Sequence, residues 1–320
     1  SEECSSVRVV SADASYEWLH PRIVVGCDGI GSATRDALRS GVVQLEGSAS
    51  AGLRYKILTV SSRFATADGN VTTPTRAYTV PSALKTLRLG FLPVRAEVRE
   101  RTANVIAPAS HRVWTLRDAQ SLRSFFAESF PQLAPSTFSD DELASFVARP
   151  PGVFPKPQHA LVLAKSFPGS SCFLLGDAAH AFPPDVGQGV NSALEDVLVL
   201  GDVLRKHHKD TARAVDEFQA DRAPAAAALA RIVRCAFPYQ YNQGPKLRAG
   251  LFFLGFLLRL LLSRLPLVSF FLAEPVALGV LKGSSYADVW RRAQRTTLLY
   301  RLLLAAGALA LAAKVLLVFY

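Results

Sequence analysis

The pattern of apolar and polar residues changes character along the chain. Short β-branched runs, separated by Gly, Pro, Ser and Asp, dominate the first third and predict strands. The predicted strands cover residues 7–10, 22–25, 54–60, 76–80, 86–92 and 104–107, and a helix covers about 31–38. Between 42 and 113 the spacing of about 8–12 residues and the partial alternation indicate an antiparallel sheet.

Helices become more frequent after this region. The periodicity predicts helices over 118–130, 140–147, 191–205 and 221–234, with strand-like runs at 161–164 and 172–175. Ser139 and Glu142 have the spacing of a capping box before the second helix. Residues 149–158 hold four prolines, so we expect a linker there.

The last 75 residues form a distinct, apolar and basic tail. Residues 302–320 contain one charge, Lys314, and a helix of that length would be about 28 Å long, close to the thickness of a bilayer core. We therefore expect one membrane span near 302–320, preceded by basic residues on the cytoplasmic side. The apolar stretches 251–262 and 265–281 are shorter or carry charges, so buried, interfacial and spanning helices all remain open for them.

Composition excludes a disordered or fibrous protein, since 50% of residues are hydrophobic and 19% are charged. The formal charge of +10 is concentrated in the tail, which holds ten basic and two acidic residues. Residues 1–245 are therefore nearly balanced, and we expect no nucleic-acid partner. The cysteines are scattered singly, which favours a reduced intracellular compartment and no metal site. They are Cys4, Cys27, Cys172 and Cys235.

The segment 172–196 carries the clearest chemical signal. An apolar strand ends at Gly176 and Asp177, a loop with Pro183 and Pro184 follows, and a helix starts near Asn191. In such a unit the free amides of the helix start favour an electron-rich group, and glycines let the backbone approach a flat ligand. An Asp at the carboxyl end of the strand is placed to bind a ribose hydroxyl.

A second strand-to-turn segment lies near the start, with Asp28, Gly29, Ser32 and Arg35 after the strand that ends at Val25. Two interpretations apply to it. Asp28 either serves a nucleotide site or only caps the following helix, with Arg35 in solvent.

Together these motifs resemble those of the aromatic-ring flavoprotein monooxygenases, the family of para-hydroxybenzoate hydroxylase. The resemblance implies FAD as cofactor and NAD(P)H as co-substrate, with hydroxylation of an aromatic or other electron-rich small molecule by O2 through a flavin C4a-hydroperoxide. It assigns no catalytic residue. The implied cofactor-binding residues are Asp28, Gly29, Arg35, Gly176, Asp177, Pro184, Gly187, Gln188, Gly189, Val190 and Asn191.

The resemblance also implies the fold, an α/β (α+β) architecture. It consists of part of a Rossmann-like FAD-binding domain (1–40), an inserted antiparallel-sheet substrate domain (41–165), the return of the FAD-binding domain (166–245) and a helical, membrane-associated tail (246–320). The family's first motif, Gly-x-Gly-x-x-Gly, does not occur in this sequence, and the sequence contains no Met. We therefore expect roughly 150 further residues before this fragment, which by itself would be inactive.

Within the family the layout is most similar to the kynurenine 3-monooxygenase branch. Two pairs of residues depart from that branch: Asp185 and Val186 occupy positions where it has two aromatic residues, and Ala236 and Tyr239 occupy positions where it has Asn and Glu. The resemblance to that branch implies attachment to an intracellular membrane, with the catalytic part facing the cytosol. The mitochondrial outer membrane is one candidate. We expect a structural role for His180 beneath the loop, and two interpretations of Asp185, a substrate or proton-relay group and an exposed loop acid.

Two other functions remain open from the sequence. One is an FAD-dependent reductase or dehydrogenase of a lipid or prenyl substrate. The other is a membrane-associated binding protein that has the fold without a cofactor.

Overall fold

The computed structural model describes residues 6–84, 87–208, 210–241, 245–269 and 271–319. The chain divides into two compact units. The first unit comprises Ser1–Ala49, Pro155–Pro238 and Gly244–Tyr320, and the second comprises Ser50–Phe154 and Tyr239–Gln243.

Strands and helices alternate irregularly within the described residues, which gives a mixed α/β fold. The strands are β1 (Val7–Val10), β2 (Tyr16–Leu19), β3 (Ile23–Gly26), β4 (Val42–Gln44), β5 (Leu53–Ser61), β6 (Tyr78–Pro81), β7 (Arg88–Phe91), β8 (Glu100–Pro108), β9 (Gly152–Val153), β10 (Gln158–Ala160), β11 (Ala164–Phe167), β12 (Ser170–Leu174) and β13 (His180–Ala181). The helices are α1 (Ala33–Ala37), α2 (Ala119–Ser129), α3 (Asp140–Ala148), α4 (Gly189–Lys206), α5 (Thr211–Cys235), α6 (Lys246–Leu262), α7 (Pro266–Ser269), α8 (Val276–Leu281) and α9 (Tyr286–Phe319).

Two three-stranded sheets organise the first unit. Their strand orders are β11–β12–β3 and β13–β10–β4, and a separate hairpin joins β1 to β2. β12 pairs with β3 in parallel, from Ser171 opposite Ile23 to Leu174 opposite Gly26. The strand β12 is buried along its whole length, as expected where both faces of a sheet are covered.

Gly26, the last residue of β3, lies where a side chain has no room. A Cβ atom built there would lie 2.7 Å from Cγ2 of Thr34 and 2.9 Å from Cδ2 of Leu174. This glycine lets α1 and β12 approach the end of β3 closely.

We expect Gly26→Ala to lower the free energy of unfolding by about 1–3 kcal/mol, because the added methyl group overpacks this contact. Chemical denaturation followed by circular dichroism measures the change. Gly31→Ala is the matched control, since its Cβ would meet no atom within 4 Å. Equal unfolding midpoints for the two variants would contradict the packing argument.

The second unit is built on a five-stranded sheet of order β6–β7–β8–β5–β9, and its strand pairs are antiparallel. Alternate residues of β8 point into the core, including Ala103, Val105 and Ala107, which are fully buried. α2 and α3 pack on this face through phenylalanines such as Phe126 and Phe146. The predicted antiparallel sheet is therefore confirmed.

Two sequence predictions in this part of the chain need correction. Residues 149–158 are not only a linker, because β9 and the first residue of β10 lie within them. The capping box is only half formed. Ser139 Oγ accepts from the backbone N–H of Glu142, but the Glu142 carboxylate accepts from the N–H of Thr59 in β5.

The predicted strand over 161–164 is also wrong, since β10 ends at Ala160 and β11 begins at Ala164. The side chain of Gln219 in α5 explains the interruption. Its Oε1 accepts from the backbone N–H groups of Leu163 and Ala164, and its Nε2 donates to the carbonyl of Leu161. One amide side chain thus satisfies the backbone groups that a strand partner would otherwise bond.

The tail is helical. The predicted apolar stretch 265–281 contains two short helices, α7 and α8, and α9 starts at Tyr286, well before residue 302. Among the described residues, none of the helices combines the length and the apolar composition that a membrane span needs. Tyr320 of the predicted span lies outside the described residues, as do the side chains of Leu304 and of residues 311–319. The predicted span therefore stays a prediction.

Candidate functional site

The two predicted motifs meet at one edge of a sheet. The Asp28–Gly29 turn follows β3, and Gly176–Asp177 follows β12, its parallel neighbour. The backbone N–H of Leu175 donates to the carbonyl of Gly26 at 3.0 Å and extends the pairing to the end of both strands. Both turns therefore leave from the carboxyl ends of adjacent parallel strands, the position where such sheets bind ligands.

Arg35 connects the two motifs. Its guanidinium is buried and donates from NH1 to the carbonyl of Ala178 at 3.2 Å and from NH2 to the carbonyl of Ile30 at 2.8 Å. Its Nε is buried without a hydrogen-bond partner in the described part of the chain. The interpretation of Arg35 as a solvated residue is therefore wrong.

Asp28 holds the start of α1. Its carboxylate accepts from Ser32 Oγ at 2.5 Å and from the N–H of Thr34 at 2.9 Å. Partial burial raises the pKa of Asp28, but these hydrogen bonds outweigh it, so that the pKa lies below its ordinary value. Asp28 is thus ionised at neutral pH and organises the turn, in which Gly29 adopts a φ of +78°. A role of Asp28 towards a nucleotide stays a prediction.

At the second motif, Gly176 and Asp177 have different surroundings. Gly176 has a φ of +58°, and its N–H donates to Oδ2 of Asp196 at 2.8 Å. The next residue, Asp177, is exposed. The buried carboxylate of Asp196 therefore holds the backbone of this turn, while the Asp177 carboxylate remains accessible to a ligand.

The turn before α4, which we call the amide turn, comprises residues 184–191. Gln188 is the N-cap of α4, and no side chain accepts a hydrogen bond in the capping position. The first helical N–H groups, of Gly189, Val190 and Asn191, have no acceptor within the helix. A Cβ built at Gly187 or Gly189 would meet no atom within 4 Å. The turn therefore offers free donors and open space to a flat, electron-rich group.

Beneath the amide turn lies a buried ionic network that the sequence analysis missed. Asp196 accepts from His180 Nε2 and, through its other oxygen, from Arg222 Nε, both at 2.8 Å. All three residues are at most 2% exposed. Ser192, also buried, contributes its carbonyl to Arg222 at 3.4 Å. The predicted structural role of His180 beneath the loop is confirmed.

The network keeps Asp196 ionised. Burial raises the pKa of the Asp196 carboxyl, whereas the hydrogen bond and charge of His180, the charge of Arg222 and the N–H of Gly176 lower it, and the net shift is downward. A buried carboxylate with these partners fixes the relative positions of β12, α4 and α5.

Tyr286, at the start of α9, is a second residue that the sequence analysis missed. Its hydroxyl donates to Oε1 of Gln188 at 2.9 Å, and it is buried. Burial, with a smaller contribution from Glu195, raises the pKa of Tyr286 to about 12. The phenol therefore stays protonated at neutral pH and donates to the amide turn. Asp185, in the same turn, is 4% exposed, so its interpretation as an exposed loop acid is wrong.

His159 in β10 lies opposite His180 in β13 and is buried. Burial lowers the pKa of His159 below its ordinary value of 6.5; the carbonyl of Ala160 opposes this shift, and the charges of Arg231 and His180 add to it. The unfolded chain therefore takes up a proton at higher pH than the folded chain. Stability from the neutral imidazole is complete above about pH 6.5 and is lost as the pH falls through the folded pKa.

We accordingly expect the unfolding midpoint to fall on acidification from neutral pH, and His159→Gln to reduce this fall, because glutamine does not titrate. Denaturation curves at a series of pH values measure the effect. His20→Gln changes an exposed histidine and is the control. An unchanged pH dependence in the His159 variant would show that other groups, such as His111 in the second unit, account for it.

Comparison with known proteins supports these findings. The FAD binding domain family matches residues 2–233. Kynurenine 3-monooxygenase from Emericella nidulans is 38% identical over 118 residues, which are 37% of this chain and 22% of that protein. The Saccharomyces cerevisiae enzyme is 29% identical over 211 residues, which are 62% of this chain and 43% of that protein. The chain thus spans less than half the length of these curated relatives.

Two solved structures share the fold at low identity. HpxO of Klebsiella pneumoniae, crystallised with FAD and uric acid, has a TM-score of 0.51 and 22% identity, and the match covers 79% of this chain and 59% of HpxO. OxyS anhydrotetracycline hydroxylase from Streptomyces rimosus has a TM-score of 0.52 and 20% identity, with coverages of 84% and 48%. These likenesses show the architecture alone. The family match covers well over half of the chain, including both motifs and the amide turn, and the chain therefore belongs to the FAD binding domain family.

Proposed function

We propose that this chain is part of an FAD-dependent monooxygenase that hydroxylates an aromatic or other electron-rich small molecule with NAD(P)H and O2. The observation that carries the proposal is the amide turn, with its uncapped helix start, beside the accessible carboxylate of Asp177. Membership of the FAD binding domain family and the similarity to kynurenine 3-monooxygenases support it.

The residues of the first unit fit an isoalloxazine and its ribityl chain. The ring needs hydrogen-bond donors along its pyrimidine edge, and the N–H groups of residues 189–191 have no acceptor within α4. It also needs a backbone without side chains in its plane, and the positions of Gly187 and Gly189 are open. The ribityl hydroxyls need an acceptor, which Asp177 supplies. The buried Arg35 Nε has no hydrogen-bond partner among the described residues, and its nearest carboxylate, that of Asp36, lies 3.9 Å away.

In this proposal the protein supplies position and environment. FAD, when bound, would take a hydride from NAD(P)H and activate dioxygen, so that one oxygen atom of O2 enters the substrate and the other leaves as water. The amides of α4 and its positive dipole end stabilise negative charge on the pyrimidine edge. The ionic network of His180, Asp196 and Arg222 holds these amides in place, and Tyr286 fixes Gln188 at the helix start.

For the substrate we propose an aromatic amine of the kynurenine type as the first compound to test. The two relatives described above carry the name kynurenine 3-monooxygenase. Asp185 and Val186 differ from the aromatic pair of that branch, and both are buried. This change in side-chain volume within the amide turn predicts a preference among ring sizes different from that of the relatives.

The proposal is tested with protein expressed from its full coding sequence. We expect the purified protein to be yellow, with a flavin absorption spectrum, and to oxidise NADPH faster when an aromatic substrate is present. Product analysis should then find one added oxygen atom. A colourless folded protein would overturn FAD binding. A yellow protein that neither consumes NAD(P)H nor hydroxylates any compound of an aromatic panel would leave FAD binding standing and overturn the monooxygenase reaction.

We further propose that the tail contacts an intracellular membrane, with the mitochondrial outer membrane as the first candidate. α6 exposes many large apolar side chains, and basic residues flank them. The exposed apolar side chains of α6 are Leu247, Leu251, Phe253, Leu254, Leu257, Leu258, Leu261 and Leu262. Co-sedimentation with vesicles containing anionic lipid should capture the protein at low salt, and failure to capture it would overturn this proposal.

A further inference from the structure

A cavity of about 660 Å³ lies within the helical part of the first unit, and none of its lining residues belongs to the amide turn. The end of α5 and the helices α6, α8 and α9 line it. Most lining side chains are apolar, among them Phe252, Phe256, Val276, Trp290 and Leu298. The cavity is therefore suited to a hydrocarbon group.

The cavity lies between one face of α6 and one face of α9. α6 contributes residues from Leu251 to Arg259 and α9 contributes residues from Trp290 to Arg301, at helical spacing in each case. At 1.5 Å per residue the two faces are about 12 and 16 Å long. Each face ends at an arginine. The Arg259 guanidinium lies 5.6 Å from the ring of Tyr300, next to Arg301 in sequence, so both arginines lie at the same end of the cavity.

These two cations have no acidic partner in the described residues. No carboxylate lies within 4.0 Å of the Arg259 or Arg301 side chain there, whereas the two acidic residues of the tail are already paired. Glu274 binds Lys282, and Asp288 accepts from Arg291 at 2.8 Å. The cavity thus combines an apolar body with an uncompensated cationic end.

From this combination we infer that the cavity binds a single-chain anionic amphiphile, a long-chain fatty carboxylate or a lipid with the same chemistry. The hydrocarbon chain would lie between α6 and α9, and the carboxylate would contact Arg259 and Arg301. Guanidinium groups bind carboxylates with charge-assisted, bidentate hydrogen bonds. Burial of each further methylene tightens binding by up to about fourfold until the cavity is filled. This site shares no residue with the amide turn and does not depend on the proposed reaction.

The inference is tested by calorimetric titration of the full-length protein with dodecanoate below its micelle concentration. We expect one site per chain, affinity that rises from decanoate to tetradecanoate, and weaker binding of the neutral dodecanol. Quenching of Trp290 fluorescence by a brominated dodecanoate locates the ligand, and Trp290→Phe should remove the quenching. Acetate alone should not bind, because the carboxylate without its chain buries no apolar surface.

Paired variants separate the contribution of charge from that of the cavity. Arg259→Gln with Arg301→Gln should weaken dodecanoate at least tenfold and leave dodecanol unchanged. The control, Arg248→Gln with Arg295→Gln, removes two charges from the same helices outside the cavity and should leave both affinities unchanged. An equal loss in both pairs would show general electrostatic attraction and overturn the inference.

A variant that fills the cavity keeps the test independent of the arginines. A Cβ at Gly255, which lines the cavity, would meet no atom within 4 Å, so that Gly255→Leu is expected to fold and to abolish binding of dodecanoate and dodecanol alike. Gly250→Leu, equally open but outside the cavity, is its control. Two parallel measurements distinguish a free amphiphile from a membrane lipid as the ligand. One measures binding of monomeric dodecanoate, and the other measures capture by vesicles of phosphatidylcholine with phosphatidylserine. Capture by vesicles without any binding of monomeric dodecanoate would overturn the inference.

Discussion

Asp196→Ala is expected to lower the free energy of unfolding by about 3–5 kcal/mol, because it leaves the charge of Arg222 buried without its main partner. Arg222 is 1% exposed, and its guanidinium bonds Asp196 at 2.8 Å. The substitution also removes the acceptor of His180 and of the Gly176 N–H. Unfolding by urea, followed by circular dichroism, measures the loss.

Glu195→Ala is the matched control for this prediction. Glu195 also bonds Arg222, at 3.0 Å, but its side chain is 43% exposed, so its removal should cost less than about 1 kcal/mol. A second signature is the dependence on acid. The folded pKa of Asp196 lies below the ordinary value of 3.8, so its contribution is complete above that pH and is lost as the pH falls through the folded pKa. Equal losses in the two variants would show that the network is not the source of the stability.

Asp177→Ala is expected to raise the dissociation constant for FAD by about 10- to 100-fold while leaving the fold intact. Loss of hydrogen bonds to a charged acceptor costs about 1.5–3 kcal/mol. Asp177 is exposed, so its removal leaves no buried group unsatisfied. Titration of the apoprotein, expressed from its full coding sequence, with FAD and detection by flavin fluorescence measures the constant.

Asp216→Ala provides the control, since it removes an exposed carboxylate of α5 in the same unit. It should bind FAD with the affinity of the unaltered protein. If both variants retain that affinity, Asp177 does not belong to the cofactor site. If both lose it equally, the effect comes from net charge and not from a contact with the ribityl chain.

The sequence predicted the parts of the site that depend on local chain geometry. Glycines that need positive φ, such as Gly176 and Gly187, and a helix that starts directly after a glycine-rich turn leave a pattern in consecutive residues. The sequence analysis did not predict that β3 and β12 pair in parallel. The exposed Asp177 and the uncapped start of α4 are where that pattern placed them.

The residues that the sequence analysis missed act across long distances in the chain. Arg222 is 26 residues from Asp196, and Tyr286 is 98 residues from Gln188. Nothing in a single sequence distinguishes a buried arginine on a helix from a solvated one. The helical periodicity of residues 191–205 predicts that Asp196 lies on a helix. Only the packing of α5 shows that its carboxylate has a cationic partner, Arg222.

The incorrect strand at 161–164 has a similar cause. The run is apolar, and apolar runs of this length fit a buried strand or an irregular buried segment equally well. The deciding contact comes from Gln219, whose amide bonds the backbone from a helix more than 50 residues later. The start of α5 was placed too late for a related reason. Asp210 caps it, and half of residues 211–220 are polar, so the three buried apolar positions there, Ala214, Val215 and Phe218, gave too weak a period to predict a helix.

The shared register of β3 and β12 limits where the chain can tolerate insertions and deletions. Four paired positions align the two motifs, although 144 residues separate Gly26 from the first residue of β12, Ser170. Loop insertions or deletions within residues 50–154 leave these four pairs untouched, whereas one residue added inside β12 would turn Asp177 towards the opposite face. Natural variation in length, and any engineered graft, should therefore concentrate in the intervening unit and spare the two short strands.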